Sequence, residues 1–583
     1  MTTAPTFVDS ADGVRIATYE EGNPDGPTVV LAHGWPDSHV LWDGVVPKLA
    51  DRFRIIRYDN RGVGASSAPV PVSLYTMERF ADDLEAVITT CSPGRPVHVL
   101  GHDWGSVATW EYLSRPGSAA KVASFTSVSG PSADHYKAAI FSALARPYQP
   151  RRFLRAVERL LRLTYMIPLS VPVLTPAILR ARFGGGRAAV LLTDGVPRSQ
   201  RFRSDSAATD LVNSLKIYRA ILRRSPRDYR RDHHVSVPVQ LIVNTKDPVV
   251  RPHGLDGISR WVPQLWRRDI EAGHWAPMSH PQVLAAAVTE LVDHLDGRPA
   301  ARGLLRAQVG RTRAPFDDTL VTVTGAASGI GRATALAFAA QGAELIVSDI
   351  DKAGLDDTVA AISAVGAPAH PYVVDVSDAE AVERFAADVC ATHGIPDVVV
   401  NNAGVGQAGS FLDTPTQQWD RVLEVNLGGV VNGCRAFARR LVERGTGGHI
   451  VNVASMAAYA PLQSMNAYCT SKAAVYMFSD CLRAELSAAG VGLTTICPGV
   501  VDTNIVHTTR FDIPADKAEA ARKRAEKLFT ARRYGPEKVA AAILASVARD
   551  TAIRPVTPEA HLLYGLSRLA PQALRSAARS SVV

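Results

Sequence analysis

The sequence has few cysteines, no metal-binding motif and no long hydrophobic run. Only six cysteines occur in 583 residues, and no two of them have CxxC spacing; they are Cys91, Cys390, Cys434, Cys469, Cys481 and Cys497. Scattered cysteines predict free thiols in a reducing compartment, and we expect no bound metal. No stretch approaches the roughly 18 apolar residues that a membrane span requires, and the N-terminus has no secretory signal pattern. We therefore expect a cytoplasmic protein, with peripheral membrane contact left open.

Unusual composition is also absent. Apolar residues make up 46% of the chain and charged residues 21%, which excludes collagen-like, fibrous and disordered proteins. The net charge is +8, and arginines concentrate in residues 146–162 and 298–313 without an RNP, zinc-finger or helix-turn-helix signature. We therefore expect no nucleic-acid partner. At about 150 residues per domain, the length predicts two to four domains.

Short β-branched segments alternate with helical stretches in two separate series. The first includes TVVLAH, FRIIRYD, VHVLGH and VPVQLIVNT, and the second includes TLVTVTG, AELIVSD, PDVVVNNAG and GHIVNVAS. This alternation predicts two α/β domains built on parallel sheets with crossover helices. We place the first domain at residues 1–296 with a helical cap at about 131–235. An exposed, arginine-rich linker follows at 297–316, and the second domain at 317–583.

A nucleophile-elbow spacing follows the segment VHVL. In Gly101-His102-Asp103-Trp104-Gly105 the central residue is Asp103 instead of the serine of an esterase. A carboxylate nucleophile attacks saturated carbon and forms an alkyl ester, as in epoxide opening or halide displacement. Asp247 and His274 follow later predicted strands, in the order nucleophile, acid, base. Taken alone, each of these residues is as typical of a turn or a buried core position as of a catalytic site. Their combined order favours a catalytic triad.

A second loop completes this predicted site. His33-Gly34-Trp35-Pro36 follows the segment TVVLA, so the backbone N–H of Trp35 can join that of Trp104 in an oxyanion hole. His274 would then activate the water that hydrolyses the ester, while Asp247 orients the imidazole.

The motifs HGWP, DNRGVGAS, GHDWG and GHW resemble the epoxide hydrolase branch of the α/β-hydrolases, across residues 1 to about 296. The resemblance implies two cap tyrosines that protonate the epoxide oxygen. Tyr218, in NSLKIYRA, and Tyr165, in LTYMIPLSVP, are similar to these. Around Tyr165 the chain departs from the family pattern, with Pro168 in place of an aromatic residue and Ser170 in place of Gln, which leaves a core-packing role as the alternative.

Haloalkane dehalogenases provide the alternative for this first domain. They share the aspartate nucleophile, and a tryptophan such as Trp104 after it binds halide. The cap tyrosine Tyr218 and the segment DNRGVGAS favour an epoxide.

A glycine-rich turn in the second series predicts a dinucleotide site. In TGAASGIG, residues Gly325, Ser328, Gly329, Ile330 and Gly331 end a strand and begin a helix, where a pyrophosphate can bind the helix N-terminus. The acidic Asp349, 18 residues after Gly331, is positioned to bind the ribose hydroxyls and repel a 2'-phosphate, which favours NAD over NADP.

Four further residues predict proton transfer in the second domain. Tyr468 and Lys472 lie one helical turn apart, so the ammonium can lower the pKa of the phenol. Ser455 ends the strand GHIVNVAS and can hold a substrate oxygen, and Asn426 can support a proton-relay water. Individually, serine and asparagine at such positions are usually structural.

These marks, with NNAG and PG, resemble the short-chain dehydrogenase/reductase family across residues 317 to about 510. The resemblance implies a homo-oligomer and further cofactor contacts. Asp375 and Val376 would flank the adenine, Asn402 would lie beside the cofactor, and the nicotinamide half would contact Pro498, Gly499, Val501 and Thr503. The segment after Thr503 matches no motif and is expected to determine substrate specificity.

The domain order resembles fusion proteins in which an epoxide hydrolase precedes a dehydrogenase. It suggests the hypothesis that the first domain makes a vicinal diol and the second oxidises one of its hydroxyls. A scaffold protein with degenerate sites is a third alternative, disfavoured because every catalytic residue is present.

The cap segment RRFLRAVERLLRL contains an amphipathic pattern. Its apolar residues share one helical face, namely Phe153, Leu154, Val157, Leu160 and Leu161. We favour packing of this face on the hydrolase core, and the alternative is an interfacial helix that draws lipid epoxides from a membrane.

Overall fold

The computed structural model divides the chain into two compact units, Met1–Arg311 and Thr312–Val583. It describes residues 4–183, 196–197, 201, 206–224, 233–503, 509–512, 518–520, 522–524, 527, 532 and 534–578. None of the helices among these residues is both long enough and apolar enough to cross a bilayer.

The first unit is built on an eight-stranded sheet with the order β1-β2-β4-β3-β5-β6-β7-β8. Its strands are β1 Thr6–Asp9, β2 Arg15–Gly22, β3 Thr28–Ala32, β4 Arg54–Tyr58, β5 Val97–His102, β6 Val122–Val128, β7 Val239–Asn244 and β8 Leu265–Ile270. Strands β3 to β8 pair in parallel, as predicted. The strands β1 and β2 add an antiparallel edge that the sequence analysis did not include.

Both faces of this sheet are covered. Along β3, Val30 and Ala32 belong to one apolar cluster, whereas Val29 and Leu31 belong to another. Successive side chains of a strand point to opposite faces, so a strand that is apolar at every position is buried on both sides.

Helices of the first unit cover the sheet and form the cap. They are α1 Val46–Leu49, α2 Met77–Cys91, α3 Asp103–Leu113, α4 Ser118–Lys121, α5 Ala133–Leu144, α6 Pro150–Leu163, α7 Met166–Ser170 and α8 Leu174–Phe183, followed by Ala207–Asn213, Lys216–Leu222, Ala276–Ser279, Pro281–Leu295 and Arg302–Ala307. The helices from α5 to Lys216–Leu222 are inserted in the chain between β6 and β7, which pair directly in the sheet. This insertion falls within the predicted cap.

Helix α6 does not pack as the sequence pattern suggested. Ala156 and Arg159 are its buried residues, while Leu154 and Leu161 are 65% and 66% exposed. The favoured interpretation, in which the leucines pack on the core, is therefore wrong, because contacts outside the helix determine its rotation.

Part of the predicted linker is folded. The helix Arg302–Ala307 buries Leu304 and Ala307 against Trp266 and Leu291 of the first unit. The expectation of an exposed linker at 297–316 is wrong for this segment, because its two apolar side chains gain burial by packing.

The second unit contains a seven-stranded parallel sheet with the order β11-β10-β9-β12-β14-β15-β17. Its strands are β9 Leu320–Thr324, β10 Glu344–Asp349, β11 Ala369–Val373, β12 Val398–Asn401, β14 Gly448–Val453, β15 Val491–Cys497 and β17 Ile553–Pro555. A separate parallel pair joins β13 Gln407–Gly409 to β16 Arg510–Asp512. The order places β9 and β12 side by side at the centre.

Helices connect these parallel strands. They are Gly329–Ala339, Lys352–Ala364, Ala379–Thr392, Thr416–Leu423, Gly429–Arg444, Asn466–Leu486, Pro536–Arg549, Pro558–Leu569 and Pro571–Ala577. The carboxyl ends of parallel strands share one edge of the sheet, which is the ligand-binding edge of open α/β folds.

Candidate active sites

The elbow residue Asp103 directly follows β5 as the first residue of α3 and adopts φ 48°. A left-handed conformation is uncommon outside glycine and is typical of a strained nucleophile turn. The turn also needs small neighbours, because a Cβ on Gly105 would lie 2.4 Å from the carbonyl oxygens of Ala32 and His33. A Cβ on Gly34 would lie 2.4 Å from Asp103 Oδ2. The glycines of both motifs therefore permit the close approach of the two loops.

Backbone donors surround the Asp103 carboxylate. The Trp35 N–H donates to Asp103 Oδ2 at 3.0 Å, and the Trp104 N–H also donates to this carboxylate. Burial raises the pKa of Asp103, and the opposing effects of His274 and of these two N–H groups limit the rise. The structure thus brings the predicted oxyanion donors together at the predicted nucleophile.

His274 lies between two carboxylates. Its Nδ1 is 2.9 Å from Asp247 Oδ2, and its Nε2 is 3.8 Å from Asp103 Oδ1. Burial opposes the charged imidazole, but Asp247, Asp103 and Asp37 more than offset this effect and raise the pKa of His274 to about 9. Asp247 in turn accepts the N–H groups of Val249 and Val250 at 2.7 and 3.0 Å, which fixes its orientation.

Asp37 is a further acidic residue near His274 that the motifs did not predict. The Trp275 indole donates to Asp37 Oδ2 at 3.1 Å. Burial, followed by the effect of Asp103, raises the pKa of Asp37 to about 7, against the lowering effects of Trp275 and His274. Its place directly after the HGWP motif was the available signal.

The two cap tyrosines approach the same region. The Tyr218 ring is 5.2 Å from the Trp35 ring and 5.6 Å from the Trp104 ring, and the Tyr165 ring is 6.0 Å from Tyr218. The two phenols share a side-chain hydrogen bond. Burial raises the pKa of both groups, and Asp103 raises it further. Both therefore remain neutral O–H donors at neutral pH.

The DNRGVGAS segment is held by a buried ion cluster. Arg61 is fully buried and contacts Asp83 at 2.6 Å and Asp12 at 2.8 Å. The neighbouring Asp59 accepts the Tyr19 hydroxyl at 3.0 Å and lies 2.8 Å from His39 Nδ1. The buried charges of this motif therefore hold the loop in place through ion pairs and hydrogen bonds.

In the second unit, the glycine-rich loop is closely packed. Gly325 has φ 67°, and a Cβ on Gly331 would lie 2.0 Å from the Gly325 carbonyl oxygen. Asn402 Nδ2 donates to the carbonyls of Thr324 and Gly325 at 3.0 and 3.1 Å. Asn402 therefore holds the loop that the sequence assigns to the pyrophosphate.

Side chains around this loop suit a dinucleotide. Ser328 precedes the helix Gly329–Ala339 and makes no side-chain cap, so its hydroxyl is not committed to the helix. Asp349 ends β10 and accepts the N–H groups of Ala327 and Asp351 at 3.0 and 3.1 Å. The site thus presents backbone donors at a helix N-terminus together with one carboxylate at the neighbouring strand end.

The other predicted contacts lie at the same strand edge. Asp375 is exposed and Val376 is buried just beyond β11, and Ile330 is half-buried in the first turn of its helix. Thr503 side-chain atoms lie 3.4–3.5 Å from the position that a Cβ on Gly329 would take. Pro498, Gly499 and Val501 follow β15, and residues 504–508 of the expected specificity segment lie outside the described residues.

Asn426 lies in a π-helical turn, Glu424–Gly428. Its Oδ1 accepts the Val405 N–H at 2.8 Å, and its Nδ2 donates to the Val405 carbonyl and to Ser471 Oγ at 3.0 and 3.1 Å. Turns of this kind are frequent at functional sites. A Cβ on Gly404 would lie 3.0 Å from Asn426 Oδ1 and 3.5 Å from Lys472 Nζ, so Asn426 and Lys472 border the same small space.

Ser455, Tyr468 and Lys472 also come together, but the phenol is not acidified as expected. Burial raises the pKa of Tyr468, and a hydrogen bond from Ser455 opposes the rise. Lys472 donates to the Val453 carbonyl at 3.0 Å, with Nζ 5.9 Å from the Tyr468 ring centre. Burial lowers the pKa of Lys472 to about 8. The rise in the pKa of Tyr468 is opposite to the predicted lowering, because burial of the phenol outweighs the hydrogen bond from Ser455.

Each half of the chain matches a known protein family. Residues 27–281 match the alpha/beta hydrolase fold family, and residues 319–513 match the short chain dehydrogenase family. The dehydrogenase domain implies small-molecule substrates and a nicotinamide cofactor.

Similar proteins include whole-length and partial matches. The "Probable oxidoreductase EphD" of Mycobacterium tuberculosis strain H37Rv is 64% identical over 583 residues, covering 99% of this chain and 98% of the relative. The "D-threitol dehydrogenase" of Mycolicibacterium smegmatis is 37% identical over 228 residues, covering 39% of this chain and 85% of that protein. A short-chain dehydrogenase/reductase from Burkholderia phymatum, solved in complex with NAD, covers 45% of this chain and 95% of its own at 30% identity, with a TM-score of 0.42.

The whole-length match includes both units. It confirms the predicted combination of an α/β-hydrolase fold with a Rossmann-type dehydrogenase domain, and it supports an enzyme. The chain therefore belongs to the EphD-like family of two-domain oxidoreductases, in which an α/β-hydrolase-fold domain precedes a short-chain dehydrogenase domain.

Proposed function

We propose that the first unit hydrolyses a lipid-like epoxide to a vicinal diol. The observation that carries this proposal is the position of Asp103 among the Trp35 and Trp104 N–H groups, His274 and two neutral cap tyrosines. An aspartate nucleophile opposite phenol donors suits a substrate whose leaving oxygen stays attached and must gain a proton.

The reaction has two steps. Asp103 attacks an epoxide carbon while the carbon–oxygen bond breaks, and Tyr218, assisted by Tyr165, gives its proton to the ring oxygen. His274 then takes a proton from water, and the resulting hydroxide attacks the ester carbonyl of Asp103. The Trp35 and Trp104 N–H groups hold the oxyanion until the ester bond breaks. The diol leaves with one carboxylate oxygen of Asp103 and takes the proton of the hydroxyl that came from water, while the proton held by His274 restores the neutral phenol of Tyr218.

A single-turnover experiment in ¹⁸O-labelled water tests this route. With enzyme in excess over a long-chain epoxy fatty acid, we expect unlabelled diol and one ¹⁸O atom in the peptide that contains Asp103. Asp103→Asn should reduce diol formation by at least ~10³-fold. Label in the diol of the first turnover would exclude the ester intermediate.

The dehalogenase alternative is tested with a matched alkyl bromide. Tyr218→Phe removes the proton donor, and we expect epoxide turnover to fall about 10²-fold or more. Bromide needs no proton to leave, so a dehalogenase would keep its bromide release in Tyr218→Phe. Bromide release by the wild type without diol formation would assign the unit to the dehalogenases.

We further propose that the second unit oxidises or reduces an alcohol/ketone pair with NAD. The bound cofactor would accept hydride as NAD⁺ when the alcohol is oxidised and donate it as NADH when the ketone is reduced. Tyr468 exchanges the proton of the substrate oxygen, Ser455 orients that oxygen, and Lys472 and Asn426 pass the proton towards solvent. Asp349 favours NAD because a 2'-phosphate would meet its carboxylate.

Cofactor preference is tested by fluorescence titration with NADH and NADPH. Wild-type protein should bind NADH more tightly than NADPH. Asp349→Ser removes the repulsive charge, so it should reduce the ratio of the two affinities by about tenfold or more. Equal affinities of the wild type for both cofactors would contradict the assignment.

The two reactions are proposed to act in sequence, with the diol of the first unit as the alcohol for the second. Purified diol with NAD should give NADH in the wild type and in Asp103→Asn, but not in Tyr468→Phe. If the diol never supports NADH formation while both separate activities are present, the sequence of reactions is excluded. A homo-oligomer through the second unit is also proposed, and sedimentation velocity measures it.

A further inference from the structure

An apolar surface on the cap is exposed to solvent. Its side chains have exposed fractions between 43% and 81%, and we call them the cap apolar surface; they are Leu154, Leu160, Leu161, Ile167, Val173, Leu174 and Ile178. Single exposed apolar residues need no explanation, but a concentration of them within residues 154–178 is typical of an interaction site.

Helix α6 buries an arginine and exposes leucines, the opposite of the usual distribution. Arg159 is buried, with its guanidinium 5.7 Å from the Tyr136 ring centre, and it donates to the His253 carbonyl. These contacts fix the rotation of α6. Leu154 and Leu161, two turns apart on one face, consequently point away from the core. Apolar side chains directed into water cost free energy unless another apolar phase covers them.

Arginines border this apolar face. Helix α6 contains five arginines and one glutamate, and the glutamate, Glu158, is paired with Arg162 at 2.9 Å. At about 100° per residue, Arg151 and Arg155 lie in one row beside Leu154. Both are exposed, and neither forms an ion pair among the residues that the structure describes. Their charges are available to anionic groups next to the leucines.

Part of the cap apolar surface, Ile167 of α7, lies beside the hydrolase site. Tyr165 directly precedes α7, and Met166 and Leu169 of that helix pack in the cluster around Tyr218. Ile167 of the same short helix is 57% exposed. One helix therefore has the predicted epoxide site on one side and the exposed apolar surface on the other.

We propose that the cap apolar surface binds an anionic lipid bilayer, with Leu154 and Leu161 among the acyl chains and Arg151 and Arg155 at the phosphates. A bilayer matches both components of the surface, as for basic amphipathic helices at membranes. A second copy packed antiparallel on α6 across a twofold axis would place the arginine rows against each other and cost repulsion. Entry of the lipid epoxide from this bilayer into the site rests on the proposed hydrolase function.

Co-sedimentation with vesicles tests the binding. The full chain should bind phosphatidylcholine vesicles that contain phosphatidylglycerol, and binding should weaken between about 0.1 and 0.5 M salt. Leu154→Ser/Leu161→Ser should lower the apparent affinity at least about tenfold. Arg151→Ser/Arg155→Ser should weaken binding to the anionic vesicles and reduce its salt dependence.

A matched control is available in the second unit. Leu562 and Leu569 are also seven residues apart on a helix and are 64% and 88% exposed. Leu562→Ser/Leu569→Ser should leave vesicle binding unchanged. Equal loss in both leucine pairs, or no binding by the wild type, would overturn the proposal. A change in sedimentation coefficient of Leu154→Ser/Leu161→Ser in the absence of vesicles would assign the surface to a second copy.

Epoxide turnover separates this inference from the proposed function. Leu154→Ser/Leu161→Ser should keep turnover of soluble styrene oxide, which also shows that the unit is folded, and should lose turnover of a long-chain epoxide embedded in anionic vesicles. Vesicle binding without turnover of any epoxide would retain the docking surface and exclude the hydrolase function. Turnover of soluble and embedded epoxides without vesicle binding would retain the hydrolase function and exclude the docking surface.

Discussion

At the scale of single residues, the protonation of His274 controls the second step of the proposed hydrolysis. Its pKa of about 9 in the free enzyme depends partly on the negative charge of Asp103. Alkylation makes Asp103 a neutral ester, so the pKa of His274 should fall in the intermediate.

We therefore expect ester hydrolysis to accelerate with rising pH, because only neutral His274 accepts a proton, and to level off with a midpoint below 9. Decay of the ester in single turnovers between about pH 5 and 10 measures this profile. A rate that falls as the pH rises would contradict the role of His274 as a base.

Arg61 provides a stability prediction at the same scale. It is fully buried against Asp83 and Asp12, so Arg61→Met would leave the buried Asp83 without its cation and Asp12 with only the more distant Arg79. We expect a loss of about 3–5 kcal/mol in the free energy of unfolding.

Urea unfolding of the full chain followed by tryptophan fluorescence measures this loss, because seven of the eight tryptophans belong to the first unit. Arg79→Met is the matched control. The Arg79 side chain is 40% exposed and lies 4.0 Å from the same Asp12, so its removal should cost at most about 1 kcal/mol. Similar losses in both variants would show that burial is not the cause.

At the scale of structural elements, the turn between β9 and the helix Gly329–Ala339 depends on glycine. Gly331→Ala would place a methyl group 2.0 Å from the Gly325 carbonyl oxygen and 2.6 Å from Asn402 Nδ2. We expect NADH affinity to fall by at least about tenfold, because the backbone must move away from its phosphate-binding arrangement.

Fluorescence titration measures the affinity, and diol formation by the first unit should not change. Gly565→Ala is the control, since nothing lies within 4 Å of the Cβ it adds and alanine favours a helix. Unaltered NADH binding by Gly331→Ala would remove this loop from the cofactor site.

At the scale of the whole molecule, the two compact units contain separate sets of proposed catalytic residues. We expect Asp103→Asn to lose diol formation and retain NAD-dependent activity, and Tyr468→Phe to show the opposite pattern. Steady-state assays of both reactions on each variant measure this independence. Loss of both activities in either single variant would mean that the two sites depend on each other.

Much of the candidate chemistry was readable from local sequence. Strand and helix periods, the glycines around Asp103 and in TGAASGIG, and the order Asp103, Asp247, His274 depend on close neighbours or on the ends of parallel strands. The site residues themselves remain predictions. Their placement could be anticipated because parallel strands bring their carboxyl ends to one edge of a sheet.

Tertiary structure decided what depends on solvent exposure and distant contacts. It placed Asp37 beside Trp275, more than 200 residues away in the sequence, and it buried the Tyr468 phenol so that its pKa rises. It also buried Arg159 and exposed Leu154 and Leu161, although the helical pattern alone suggested that the leucines face the core. The sequence determines which side chains share a helical face, but only packing of the whole unit determines which face meets water.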